Sequence, residues 1–352
     1  VIRIALVFEQ AQEELRWEAA LQEALDGAGM KAEVHRWDPQ AAESDAHPQA
    51  TESHAQPQAT GNHPQPQGLA QAQPDAPLDR PLDRPLARAA GFDYAVGWLP
   101  PAAFFAAQPH LKAFFNAGAG VDAILHAQSV PRELAIYRLE DAGMGLQMAQ
   151  YCSLACLQLI GQSQDYAFDQ QHCRWQPREP RDAADYPVGI VGMGVLGRQV
   201  AASLQALGFP VQGYRKTDHS VENWQRFLRA SRILILLAPL TEQTRGMVDA
   251  AALALLKPGA WLINAARGPL VDEADLLDAL DRGVIDGAQL DVFCEEPLSP
   301  ASPFWHHPKV RITPHIAAST LMQPAVKQIV AKMQQLMRGE QPSGLIDRDR
   351  AY

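Results

Sequence analysis

The sequence predicts an α/β protein of two lobes, each built on a parallel sheet, and three observations carry that expectation. Short runs rich in Val, Ile and Leu alternate with helix-period stretches along both halves of the chain. That order yields parallel sheets covered by helices on both faces. A strand-like run, Val188-Gly189-Ile190-Val191, leads directly into Gly192-Met193-Gly194-Val195-Leu196-Gly197 and then a helix-like stretch, Arg198 to Leu207. This glycine pattern sits mid-chain with β and α units on either side, which implies two lobes and a cleft between them. At 352 residues and 47% hydrophobic content, the chain can bury two cores of ordinary size.

The first predicted strand is Ile2–Phe8, followed by a helix with Leu15, Leu21 and Leu25, closed by Gly27 and Gly29, and by a strand over Ala32–Trp37. From residue 38 to 90 the grammar changes to Pro, Gln, Ala and His. Pro77-Leu78-Asp79-Arg80 recurs as Pro81-Leu82-Asp83-Arg84 and again as Pro85-Leu86-Ala87-Arg88. So many prolines and so few large apolar residues cannot offset the entropy of ordering, so this stretch reads as a disordered insertion. Its His47, His54 and His63 are too irregularly spaced for a metal site.

Regular structure resumes with strands Phe92–Val96 and Leu111–Asn116, the turn Ala117-Gly118-Ala119-Gly120 and a helix from about Val121. A short strand Ala135–Tyr137 and a long apolar helix pattern over Gly143–Ile160 lead to the glycine pattern. Beyond it come strands Phe209–Tyr214, Ile233–Leu237, Ala260–Asn264, Gly287–Val292 and Val310–Thr313. Helices Ala250–Leu256 and Glu273–Arg282 lie between them, and a last helix runs from about Ser319 to Met337. Residues 1–140 and 318–352 are expected to form one lobe around the insertion, and residues 141–317 the other.

Composition narrows the function classes. A net charge of −10 argues against nucleic acid and anionic membranes as partners. No run of eighteen apolar residues occurs, and the first residues read as a strand and not as a signal peptide, so a cytoplasmic location is expected. Of the four cysteines, Cys152 and Cys156 sit four apart on an apolar helix without the spacing of a metal site, and are assigned to core packing. No metal is expected.

The glycine pattern has a direct physical reading. Gly192 permits the tight turn, Gly194 lets backbone N–H groups approach a pyrophosphate, and Gly197 lets the helix pack close to the strand; Val195 and Leu196 complete the turn. Both lobes are therefore expected to be Rossmann-like, with the second binding a dinucleotide. After the next strand, NAD-preferring sites place a carboxylate, but here the chain reads Arg215-Lys216-Thr217. A guanidinium and an ammonium attract the 2′-phosphate that a carboxylate would repel. NADP(H) is expected, with NAD(H) the alternative.

Three strand-end motifs stand out in the second half: Asn264-Ala265-Ala266-Arg267-Gly268, Leu290-Asp291-Val292-Phe293-Cys294-Glu295-Glu296-Pro297, and Thr313-Pro314-His315-Ile316-Ala317. Open α/β sheets bind ligands at these ends. Ala238-Pro239, after another strand, is expected to line the adenosine side of the cofactor, with Ala265 and Ala266 also against it. Gly118-Ala119-Gly120 ends a strand before a helix, so its amides can form an anion-binding concavity. Trp98 and Leu99 are expected to wall the substrate, with core packing the competing role for Trp98.

With the glycine pattern, these motifs resemble the D-isomer-specific 2-hydroxyacid dehydrogenase family over nearly the whole chain outside residues 38–90. Trp98-Leu99-Pro100-Pro101, Asn116 to Asp122, Leu139 to Gly145, Tyr214-Arg215-Lys216 and the ending Ile346 to Tyr352 narrow the resemblance to the bacterial glyoxylate/hydroxypyruvate reductase A branch. The resemblance implies reduction of small 2-oxo acids in the interdomain cleft of a homodimer joined through the Gly143–Ile160 region. It places Arg267 against the substrate, His315 as the proton donor and Glu296, with Glu295 as its rival, behind the histidine. It makes Asp291 a cofactor contact near the nicotinamide amide, and the Gly118–Gly120 loop the seat of the substrate carboxylate. Two alternatives stand beside it: an NAD-dependent dehydrogenase for a bulkier D-2-hydroxy acid, and a non-catalytic nucleotide sensor that binds partners through the insertion.

Overall fold

A computed structural model describes residues 1–8, 10–38, 91–127, 129–215 and 220–349. Apart from Asp38, the expected insertion lies outside the described residues, as do Lys216 and residues 350–352.

The first sheet is formed by β1 (Ile2–Val7), β2 (Ala32–Arg36), β3 (Tyr94–Gly97), β4 (Ala113–Asn116) and β5 (Ala135–Arg138), with helices α1 (Ala11–Gly27), α2 (Ala102–Ala107) and α3 (Asp122–His126) between them. Its strands are parallel in the order β2-β1-β3-β4-β5. Helices α4 (Met144–Ile160) and α5 (Ser163–Gln171) lead to the second sheet. There β6 (Val188–Val191), α6 (Val195–Ala206), β7 (Val211–Tyr214), α7 (Val221–Ala230), β8 (Ile233–Leu236), α8 (Ala250–Ala254), β9 (Trp261–Asn264), α9 (Glu273–Asp281), β10 (Gly287–Leu290) and β11 (Val310–Ile312) follow in turn. These strands are also parallel, in the order β11-β10-β9-β8-β6-β7. The final helix α10 (Met322–Met337) packs back on the first sheet.

The near-continuous apolar strands have a simple cause: each sheet is buried on both faces. In β1, Ile4 and Leu6 join a core with α1 and α10, while Ala5 and Val7 join a second core with Phe104, Phe114 and Ile124. In β8, Leu234 and Leu236 point into one core and Ile233 and Ile235 into another, which the buried face of α4 completes through Met148, Cys152 and Cys156. Strand alternation with a period of two sends successive side chains to opposite faces, so neither face tolerates a polar stripe.

Three helices go beyond the sequence expectation. Helix α2 has six residues, too short for an apolar period to show. Helix α5 buries only Asp169, so it presents no stripe. Helix α7 does carry a signal: Ser220 accepts from the Asn223 amide as an N-cap, and Trp224, Phe227 and Leu228 follow at helical spacing. Two predicted starts also move. The helix after the glycine pattern begins at Val195, not Arg198, because Gly194 is its cap. The last helix begins at Met322, not Ser319, because its cap Leu321 is extended and Thr320 before it is tied to the first lobe, its hydroxyl donating to the Ala117 carbonyl at 3.0 Å.

Phe114 in β4 is fully buried in the core beneath α2 and α3. Phe114→Ala is expected to lower the unfolding free energy by about 3–5 kcal/mol, read from the midpoint of denaturant unfolding.

Candidate active site

The order of the second sheet reverses at β6, which has β7 on one side and β8 on the other. Crevices at such reversals, beyond the carboxyl ends of the strands, are where open α/β sheets hold nucleotides. The glycine pattern lies at that reversal. Gly192, at φ +103, lies against the Leu237–Ala238 backbone, and any Cβ on it would come within 2.6 Å of that chain. Gly197 lies against the Gly192 carbonyl, which a Cβ would overlap. Gly194 is different: a Cβ there would meet nothing within 4 Å.

Two of the glycines are therefore required by the protein's own packing, and the third faces open space at the N-terminus of a twelve-residue helix. That helix has no acidic residue in its first turn, and Arg198 lies across the loop with Nη1 donating to the Met193 carbonyl at 3.2 Å. Exposed amides, a helix dipole and a cation beside them fit a pyrophosphate. Val195 is exposed and Leu196 half-buried, while Ala238 and Ala265 are buried and Pro239 and Ala266 lie at the surface side of the same strand ends. Arg215 is exposed directly after β7.

The three strand-end motifs follow β9, β10 and β11, which are adjacent in the sheet, so their loops converge. Arg267 projects from the first of these. Asn264 shapes its turn, donating to the Arg267 carbonyl at 2.9 Å and accepting from the Ala266 amide at 3.2 Å. The guanidinium then reaches the other lobe, where Nε donates to Asp122 Oδ1 at 2.9 Å. Nη2 lies so close to Gly120 that a Cβ on that glycine would overlap it.

The loop it meets is held open by Asn116 at the end of β4. The Asn116 amide donates to the carbonyls of Gly118, at 2.9 Å, and Gly120, at 2.8 Å. With those carbonyls engaged, the N–H groups of Gly118, Ala119 and Gly120 donate to no described residue, as an anion-binding loop requires. The half-buried Trp98 ring lies directly over Gly118 and also packs against the first-lobe core. Leu99 is 46% exposed beside it.

His315 and Glu296 form a pair, with Nδ1 of the ring 2.7 Å from Glu296 Oε2. Glu296 is anchored in turn by the Phe293 amide at 2.9 Å. It is Glu296, not its exposed neighbour Glu295, that meets the ring. The hydrogen bond that His315 donates to Glu296 raises the imidazole pKa above its ordinary value, against the opposing effects of burial and the Arg267 charge. Burial alone would raise Glu296, but its hydrogen bonds with His315 and Phe293, together with the His315 and Arg267 charges, bring it below the usual carboxylate value. Arg267, Glu296 and His315 thus share one electrostatic site.

Asp291 is 1% exposed, and its carboxylate has work that the sequence did not suggest. It accepts from the Thr313 hydroxyl at 2.6 Å and from the amides of Ile316 at 2.9 Å and Ala317 at 2.8 Å. Its own carbonyl accepts from the His315 amide at 2.8 Å. These bonds grip the turn in which His315 adopts φ +54, a conformation that only surrounding contacts can maintain in a non-glycine residue. Behind Thr313 stands Tyr151 of α4, its hydroxyl 2.7 Å away and itself accepting from Gln289 at 2.9 Å. Burial pushes that phenol up to about 12, which keeps it a donor. Asn116, Asp122, Thr313 and Tyr151 were not among the expected site residues, since none lies in a motif that announces its partner.

Residues 153–317 match the family model described as D-isomer specific 2-hydroxyacid dehydrogenase, NAD binding domain. A glyoxylate/hydroxypyruvate reductase A of Salmonella typhi is 43% identical over 274 residues, covering 74% of this chain and 88% of the relative. An NADPH-dependent glyoxylate/hydroxypyruvate reductase of Sinorhizobium meliloti, solved with NADP and sulfate, superposes with a TM-score of 0.79 at 30% identity over the full length of both chains. A D-isomer specific 2-hydroxyacid dehydrogenase of Xanthobacter autotrophicus, solved with NADPH and MES, gives 0.79 at 32% identity over 99% of each chain. The chain belongs to the D-isomer specific 2-hydroxyacid dehydrogenase family.

The glycines separate binding from folding. Gly194→Ala is expected to leave the melting temperature nearly unchanged while weakening NADPH binding about tenfold or more, because the methyl enters only the space a phosphate would take. Gly197→Ala collides with backbone and is expected to lower the melting temperature as well. Fluorescence titration and thermal unfolding of both variants check this.

Proposed function

We propose that this protein reduces small 2-oxo acids, glyoxylate and hydroxypyruvate foremost, with NADPH. The observation that carries the reading is the apposition, at facing strand ends, of a cationic fork, an amide-lined glycine loop and a carboxylate-supported histidine. Relatives named for this reaction, and two family members solved with NADP or NADPH, support it.

The Gly192–Gly197 turn and α6 would hold the cofactor's pyrophosphate, with Arg198 beside it and Arg215 toward the 2′-phosphate. When bound, NADPH supplies the hydride that the oxo carbon accepts. The open amides of Gly118, Ala119 and Gly120 receive the substrate carboxylate. Arg267 orients the 2-oxo acid and stabilises the negative charge that grows on its oxygen. Because Glu296 engages Nδ1 of His315, Nε2 is the nitrogen that delivers the proton to that oxygen, and in the reverse direction recovers it. The Trp98 ring, packed directly on Gly118, would hold the substrate to a short side group.

Two further elements belong to this reading. Helix α4 exposes Leu146, Leu154 and Leu157 at 63%, 56% and 41%, and a homodimer would cover them. Among the described residues no helix is long and apolar enough to cross a membrane. A cytoplasmic location, where NADPH is regenerated, completes the proposal.

Following the near-ultraviolet absorbance of the reduced nicotinamide tests the reading directly. NADPH is expected to be oxidised by both oxo acids faster than NADH, and His315→Ala should lower kcat about a hundredfold or more while cofactor binding persists. A preference for NADH would remove the role given to Arg215. Cofactor binding without turnover by the wild type would replace the reductase with a nucleotide sensor.

The pH dependence follows from the protonation state required. Reduction needs protonated His315, so kcat falls as pH rises through its raised pKa. Glu296→Gln removes the interaction that raises it, and the falling limb should move to lower pH. An unmoved limb would mean that it does not belong to His315.

A further inference from the structure

Arg267 can serve an oxo acid only if its guanidinium is held in one orientation. An arginine side chain has several soft torsions, so that orientation must come from its contacts. Two of these fix the plane of the fork: Nε donates to Asp122 Oδ1 at 2.9 Å, and Nη1 donates to the Ala266 carbonyl at 2.7 Å. The second is a contact within its own loop and moves with it. The first comes from the other lobe, at the start of α3, two residues beyond Gly120. Nη2 donates to no described residue and lies against Gly120, beside the open amides of the glycine loop.

We propose that Asp122 is a positioning residue for Arg267. Its carboxylate holds Nε from across the cleft, so that Nη2 is presented to the 2-oxo acid at the glycine loop. Both side chains are 24% exposed, so the pair is neither fully screened by water nor fully desolvated, and its geometry persists without a large burial cost. The glycine loop and Asp122 share one short segment. The amides that take the carboxylate and the oxygen that aims the guanidinium therefore move as one piece. The substitution Arg267→Lys removes Nε and the planar fork, leaving Asp122 no fixed plane to hold.

This inference rests on the reductase reading, and its test separates the two. Wild type, Asp122→Ala, Asp122→Asn, Arg267→Lys and the double variant Asp122→Ala/Arg267→Lys would be compared with glyoxylate and NADPH. Asp122→Ala is expected to raise the KM for glyoxylate and lower kcat/KM about tenfold or more, with NADPH affinity and melting temperature unchanged. Asp122→Asn keeps an accepting oxygen and should recover most of the loss. In the Arg267→Lys background, adding Asp122→Ala should change little, since the contact is already gone.

Losses that simply multiply in the double variant, an Asn variant no better than Ala, or an Ala variant with wild-type kinetics would each overturn the positioning role. If the wild type turns over neither oxo acid, the reductase reading falls instead. Titration of the NADPH-bound protein with oxalate, a non-reducible planar diacid, then decides the Asp122 question by binding alone. Weaker oxalate binding by Asp122→Ala than by wild type sustains it, and equal binding ends it.

Discussion

The Arg267 guanidinium leaves the end of β9 and crosses to the other lobe, where it meets Asp122 and the bare Cα of Gly120. The remainder of the site is arranged around that crossing. Because every strand in both sheets is parallel, all carboxyl ends within a sheet lie along one edge, and the loops that carry chemistry gather there. Two such edges face each other. A cation placed between them can address an anion held by one lobe and a proton donor carried by the other.

The supports behind these side chains are mostly part-buried hydrogen bonds, and they account for conformations that the chain would not adopt by itself. His315 sits at φ +54 because Asp291 ties its own amide, the two amides that follow and the hydroxyl of Thr313 before it. An unpaired carboxylate at 1% exposure would be costly, but here its lone pairs are well occupied, and burial then strengthens each bond. Glu296 performs the outer half of the same task, orienting the ring and favouring its charged form.

Glycine serves three distinct purposes around the cleft. At Gly192 and Gly197 the reason is internal, since other backbone occupies the place of a side chain. At Gly120 it is functional proximity, with Arg267 filling that place. At Gly194 the protein itself supplies no reason, and the open face at a helix N-terminus is what a phosphate needs.

The sequence by itself determined the alternation of strands and helices and the parallel sheets, while Arg267, Glu296 and His315 were singled out by what the family resemblance implies for three strand-end motifs. The fold signals are local: apolar runs of a fixed period and glycines at fixed offsets. Helix α5 was hidden because it buries almost nothing, and α2 because it is shorter than the period that would reveal it. Helix α7 was legible in Ser220, Trp224, Phe227 and Leu228. What only the tertiary structure decided were the pairings between distant positions. Asp122 lies 145 residues from Arg267, and Tyr151 lies 162 from Thr313. No periodicity encodes such a contact, because it exists only once two sheets have closed on their own cores and brought their strand ends together.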